Sequence, residues 1–439
     1  MFQLMAYAQF GLVGAFLVLS PFFIAAIKKN HTIFLAIWIE LYIAQLFMYL
    51  PGTDVSPYAF VHSKIEAIRV MSLTLSAAVS IVLVFFIFAT FVMRIKKYSK
   101  KAIYMMILAL IPNLLNLVRS SDLTGNFDTF LKVISPFVIC FYLQKIIDRE
   151  NVRDFKTAIT AINIFMIAQV LACKLMYGHF AAYNYYYEMS EEYFGYYNHP
   201  HSFTCLLAVL SIWCIYQMNK RQNVPLNIVL FVLNLLLMFI SGVRTYFIAL
   251  IAGLLFVGIY SLMMRSMKNL RKYVYIAVVL LVIAGPALIT SFGSTRVTED
   301  VSSGRIDRWT ADISYAINNY SWFDKLFGAG LDASVQANKV LFDVAINSLN
   351  VFIDMFMNYG IIGMIMMIIA YSYIFRLTWS KKQKGFQIGM LVFLLTACFI
   401  NSIVSYITIM SMIVVILYIF KVEGEMDSEG LSLKSAAVS

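Results

Sequence analysis

Charge is scarce in this chain. Asp, Glu, Lys and Arg make up 13% of its 439 residues, where a soluble domain carries about 25%. That scarcity excludes an ordinary soluble enzyme of this length. Cysteine is scarce too: five residues, at 140, 173, 205, 214 and 398, all lie inside apolar runs without paired spacing. They read as small buried hydrophobes, neither a disulfide framework nor metal ligands. No repeat of 20–50 residues and no inverted repeat is visible, which argues against a solenoid and against a transporter built from two related halves. The short alternating segments of a membrane β-barrel are missing. No cleavable signal peptide is expected either, because the first apolar stretch is long and no small-residue cleavage site follows it.

What the chain has instead is apolar length. It is 61% hydrophobic with mean hydropathy +0.80. Runs of about 18–20 residues, enough to cross a bilayer core, recur from end to end. They predict an all-α polytopic membrane protein with about thirteen spans, at 9–27, 32–50, 70–93, 102–118, 130–147, 157–177, 202–218, 224–241, 244–263, 273–291, 350–375, 386–402 and 403–420. Pro112 and two asparagines make 102–118 the weakest of these, with the closely joined last pair next.

The +11 formal charge follows topology and is not a nucleic-acid footprint. Alternate connections, at 28–31, 94–101, 148–156, 219–223, 265–272 and 376–384, hold most of the 34 Lys and Arg residues. The positive-inside rule places them in the cytoplasm, with the N-terminus outside and the tail 421–439 inside. The whole chain, 1–439, is then one integral membrane domain. Its external side carries a large loop at 292–349 with short amphipathic helices.

Polar chemistry concentrates on that external side. A tyrosine-rich acidic loop occupies 178–201, and its 183–197 stretch reads as a sugar-stacking surface or an interfacial aromatic belt. Arg244 falls in a tight turn between two apolar runs, at the outer membrane edge. Its plainer reading is a snorkelling arginine; its functional reading is an anion site, since a guanidinium offers a planar fork of donors to phosphate oxygens. Residues 303–320 predict an amphipathic helix, capped by Ser302 or Ser303. Ile306, Trp309, Ile313, Ala316, Ile317 and Tyr320 form its membrane-facing stripe, and Arg305, Arg308, Asp312 and Tyr315 lie on a neighbouring face. Arg305 and Arg308, one turn apart, can address one anion. Arg308 also has Asp312 at i+4 as an ion-pair partner, which makes Arg305 the first choice for a ligand. The turn Gly328-Ala329-Gly330 is weak evidence of phosphate binding and more often marks a tight turn. Asn347, Asn350 and Asp354 recur at helical spacing where the chain re-enters the membrane. A carboxylate such as Asp354 in an apolar run is costly and implies a function or an arginine partner.

Together these residues resemble the superfamily of membrane polysaccharide polymerases and O-antigen ligases. Ser241-Gly242-Val243-Arg244-Thr245 is similar to its Ser-Arg-Thr opening, with extra residues inserted. Gly304-Arg305 with Trp309 matches the Gly-Arg-x-x-x-Trp element, Gly328-Ala329-Gly330 the Gly-x-Gly turn, and Asn350 with Gly360-Ile361-Ile362-Gly363 the final segment. His199-Pro200-His201 is similar to an upstream His-Pro element. The resemblance covers about 199–375 and departs at Leu349, where the family has a histidine; this argues against the ligase branch.

It implies a glycosyltransferase of the inverting kind, joining undecaprenyl-diphosphate-linked oligosaccharide repeat units on the outer face of the bacterial cytoplasmic membrane. Arg244, Arg305, Arg308 and Asp354 would be catalytic, and His199, His201, Tyr246, Asp312, Asn347 and Asn350 substrate-binding. The implied partners are the lipid-linked donor and acceptor, membrane lipids, a flippase and a chain-length regulator, with no nucleic acid. No cofactor is expected, and no metal either, because the external side lacks Asp-x-Asp and ligand spacing. The general base stays open among Asp312, Asp332, Asp343, Asp354, His199 and His201. A ligase, or a flippase of lipid-linked oligosaccharides, is the alternative.

Overall fold

The computed structural model describes residues 30–46, 83, 87, 96, 98–177, 200–241, 243–263, 305–344, 346–401, 403 and 406–436. All regular structure among them is helical: α1 (Asn30–Leu46), α2 (Lys100–Val118), α3 (Leu123–Ile146), α4 (Val152–Tyr177), α5 (Pro200–Asn219), α6 (Val224–Ile240), α7 (Arg244–Met263), α8 (Arg305–Asn319), α9 (Trp322–Phe327), α10 (Ala333–Phe342), α11 (Val351–Leu377), α12 (Lys384–Ile400) and α13 (Ile407–Ala436). Seven of these are long and apolar enough to cross a membrane, and α6 and α12 are apolar helices of 17 residues. The chain is therefore a multi-pass helical membrane protein. Of the thirteen expected spans, 9–27 and 273–291 lie outside the described residues, as does all but two residues of 70–93. The expected span 32–50 is described to Leu46, as the 17-residue α1. Most of the last expected span and of the tail lie on one helix of 30 residues, α13, which runs to Ala436.

The chain divides into two compact units, 1–90 with 142–247 and 425–439, and 91–141 with 248–424. In the first, α5 packs along α6, and Phe34 of α1 meets Tyr142 and Phe155 at ring distances of 5.5 and 6.1 Å. Polar contacts gather the basic connections at one end of this unit. His31 lies 3.5 Å from Asp154, Lys156 donates to Gln222, and Lys220 pairs with Asp427 of the tail helix. These are four segments that the positive-inside rule assigns to one side.

In the second unit α2 packs against α11, and the polar residues of α2 explain how it tolerates burial. Asn113 and Asn116 are fully buried and turn their amides onto their own helix, to Ala109 O at 2.8 Å and Pro112 O at 2.9 Å. Asn113 also accepts from Tyr359 of α11 at 2.8 Å, and Asn116 donates to Phe327 O at 2.9 Å. What weakens the sequence signal of this span is what fastens it to its neighbours. Helix α11 breaks at Gly360, whose φ of 66° and ψ of −179° are non-helical. The reason is close approach: a Cβ at Gly360 would lie 2.4 Å from Leu326 C, and one at Gly328 (φ 91°) 2.1 Å from Asn358 O. The turn after α9 is thus wedged, backbone on backbone, into the break in α11. Both positions require glycine for space and for their left-handed φ.

Candidate functional site

Two groups of expected site residues emerge, one in each unit. In the first, Ser241 is buried and shares a 2.7 Å hydrogen bond with Thr204 of α5. That bond pins the turn leading into α7, whose first residue is Arg244, exposed. His201 stands edge-on to Tyr246, one of the fully buried side chains, with ring centroids 6.3 Å apart. The sequence motif thus brings Arg244, Tyr246 and His201 to one end of α5 and α7. His199 and the tyrosine-rich stretch 183–197 lie outside the described residues.

The second group is built on α8, which falls within the expected helix 303–320; the expected caps Ser302 and Ser303, with Gly304, lie outside the described residues. The expected apolar stripe divides in two. Ala316 is buried, in a small core with Ala337 and Met357. Trp309 donates from Nε1 to Ser348 O at 2.8 Å and meets Phe399 edge-on at 5.6 Å. Ile306, Ile313 and Ile317 stay exposed.

The arginines take unexpected partners. Arg305 donates from Nη1 to Ile400 O at 2.8 Å, at the C-terminus of α12. A cation there satisfies an orphaned helix carbonyl and meets the negative end of the helix dipole. Arg308 does not form the expected ion pair with Asp312; its guanidinium sits over the Phe342 ring, 5.7 Å from the centroid. Among the described residues no hydrogen bond or ion pair engages it. Arg305 is thus held on α12, while among the described residues Arg308 keeps its donors open.

Asp312 is 0% exposed and receives Asn338 Nδ2 at 3.0 and 3.2 Å. Burial pushes its carboxyl above the usual range; hydrogen bonding from Ser348 and Asn338 and the Arg308 charge oppose the shift without cancelling it. Asp312 thus locks α8 to α10, and it has no access to a ligand. Asp354 sits in the first turn of α11, where its Oδ1 accepts from Ser348 N at 2.9 Å and the helix dipole favours its charge. This position reduces the cost that a mid-span carboxylate would carry. Asn350 caps α11 by accepting from Phe352 N at 3.0 Å and Ile353 N at 3.3 Å. Asn347 accepts from Leu349 N at 3.3 Å and so supports Leu349 at φ 56°, which a bulky residue rarely adopts. Among the described residues no three His, Cys, Asp or Glu side chains converge into a ligand set.

The Gly-x-Gly turn spends two of its three amides, and that of the next residue, on the protein itself. Gly328 N donates to Asp324 O at 2.7 Å, Ala329 N to Met357 O at 3.2 Å, and Leu331 N to Ser120 Oγ at 2.9 Å. Arg119, which belongs to none of the sequence motifs, holds this turn through Gly328 O and Asp324 and lies 5.0 Å from the Phe323 ring centroid. Burial works against the Asp324 charge, but hydrogen bonds from Ser321 and Arg119 hold its carboxyl below the usual range. Arg119 stands directly after an apolar run, the same signal that singled out Arg244. Asn338 and Ser348 had no such signal, because their roles depend on helices meeting in space. Asp332 is likewise engaged, accepting from Ser121 Oγ and, at 3.2 Å, from Gln336 Nε2.

The sequence matches no protein-family model and no curated protein.

Proposed function

We propose that the chain is a polysaccharide polymerase, a glycosyltransferase that joins lipid-diphosphate-linked repeat units at the external membrane surface. The observation that carries this reading is Arg308, a half-buried guanidinium with open donors on a helix locked in place by Asp312 and Trp309. The order of motifs across 199–375 supports it. In the proposed reaction an acceptor hydroxyl attacks the anomeric carbon of the growing chain. The bond from that carbon to the diphosphate oxygen breaks, and the diphosphate leaves with the electron pair. Fixed cations lower the barrier by meeting the charge as it develops. We assign that role to Arg308, with Arg305 chiefly a clamp on α12. Asp354 is the assigned base for the acceptor proton. Asp312 and Asp332 are buried, whereas Asp354 is half-buried at the head of α11, its Oδ1 held by Ser348 N.

The test is incubation of the purified protein in sealed liposomes with one synthetic undecaprenyl-diphosphate repeat unit, without nucleotide. The reading expects a ladder of lengthened glycans and free lipid diphosphate. Movement of the lipid across the bilayer with no ladder would make the chain a transporter and sink it.

A further inference from the structure

Three consecutive short helices between 305 and 344 are inside out for an aqueous loop. On α8 the buried residues are Asp312 and Ala316, while Ile306 is 59% and Ile317 55% exposed. On α10 the buried residues are Ala333, Ser334, Ala337 and Asn338, while Val340 is 70% exposed. Helix α9 buries nothing, and its Trp322 is 71% exposed. Trp309 and Tyr315 aside, the side chains that face the protein are mostly small or polar, and the large aliphatic ones face away. In water that arrangement forfeits the hydrophobic contribution, so an exposed apolar patch of this kind marks an interaction surface.

The geometry of α8 says which kind. At about 100° per residue, Ile306, Ile313 and Ile317 form one exposed sector. Asp307, Ser314 and Asn318, each one residue later and also exposed, form a second sector rotated from the first. A helix with separate apolar and polar outer sectors beside a protein-facing side sits at a boundary between two solvents. Its neighbours fix the level of that boundary. Phe323 of α9 lies against Arg119, the residue after Val118, where α2 ends as a candidate span with Val118 itself exposed. Seven residues after Val344, Val351 begins the next span. The patch therefore lies where the candidate spans α2 and α11 end. A tryptophan at such a level is the residue type enriched at membrane interfaces.

We infer that α8, α9 and α10 form a lipid-seated collar, with Ile306, Ile313, Ile317, Trp322 and Val340 in contact with the bilayer interface. The loop residues 305–344 are a membrane surface element, and Arg308 lies at headgroup depth. This inference stands apart from the polymerase reading and needs no turnover to be tested.

The experiment places single spin labels at Ile313→Cys, Trp322→Cys and Val340→Cys in the full-length protein, with Ser314→Cys as the polar-sector control. Nanodiscs of phosphatidylethanolamine and phosphatidylglycerol carry each variant. Relaxation by oxygen is compared with relaxation by a water-soluble nickel chelate. The three apolar positions should favour oxygen over nickel, at depths of about 5–10 Å below the headgroup boundary, and Ser314→Cys should favour nickel. Nickel-dominated relaxation at all three would overturn the collar. So would label-to-label broadening between two copies with no oxygen access, which would make the patch a subunit interface. Bromolipid quenching of wild-type tryptophan emission, reduced by Trp322→Phe, reads the same contact without a label; absent quenching counts against it.

Discussion

Arg305 and Arg308 sit one turn apart, yet their surroundings assign them different work. Arg305 satisfies the carbonyl of Ile400, and a charged hydrogen bond of that kind is worth about 1.5–3 kcal/mol. Arg305→Ala should therefore lower stability by that order, as read from thermal unfolding in detergent, and a melting curve identical to wild type would refute the clamp. Asp312 offers a pH signature. Its folded pKa is raised above the unfolded value of 3.8, so its contribution to stability is full below that pH and declines as pH rises through the raised value. Asp312→Asn keeps an acceptor without the charge and should flatten this decline; it should be at least as stable as wild type at neutral pH. Asp312→Ala should cost about 1–3 kcal/mol, because Asn338 loses its acceptor on α8 and keeps only Ser334 O. A wild-type midpoint that rises steadily from pH 4 to 7, with Asp312→Asn following it, would show that the sign is wrong. The candidate arginines were legible in the sequence, since cations interrupting an apolar chain are conspicuous. Their partners were not: i,i+4 spacing pointed Asp312 at Arg308, but Asn338, on another helix, took the carboxylate.

At the scale of elements, the turn after α9 and the break in α11 are one device. Gly328 and Gly360 let two backbones touch, so Gly328→Ala should destabilise by more than about 1 kcal/mol, with Gly360→Ala at least as harmful. Chemical denaturation of both variants checks this, and a wild-type transition in either would mean the wedge is not tight. Arg119 holds the same turn. Asp324 has a lowered pKa, so its contribution is present above the unfolded pKa and is lost as pH falls through the folded one. Arg119→Met should therefore lose stability at neutral pH and flatten the acid limb of the midpoint-against-pH curve. The pair is partly exposed, so the effect is modest. A sequence reading finds glycines and spacing, and the Gly-x-Gly turn was expected to mark a tight turn more often than a phosphate loop. That the turn inserts into α11 depends on a contact between segments some thirty residues apart, which no local pattern encodes.

For the whole molecule, apolar length was the most legible feature, because spanning a bilayer demands long runs of apolar side chains regardless of what they touch. Seven helices meet that demand among the described residues. The alternation of basic connections also left its mark, since Asp154, Gln222 and Asp427 come together with His31, Lys156 and Lys220 at one end of the first unit. Single cysteines at Lys382 and Gln336 should accordingly react with an impermeant maleimide from opposite faces, Gln336→Cys from outside; labelling of both from one face would break the topology. What the sequence could not disclose is which of Arg305 and Arg308 keeps its donors open among the described residues, and the functional account turns on that. Its most direct measurement is the initial rate of glycosidic bond formation from a lipid-diphosphate repeat unit by wild type, Arg308→Ala and Arg308→Lys. The account predicts a loss of about 10²–10³ for Arg308→Ala, with folding intact and partial recovery in Arg308→Lys. A rate for Arg308→Ala equal to wild type would contradict it.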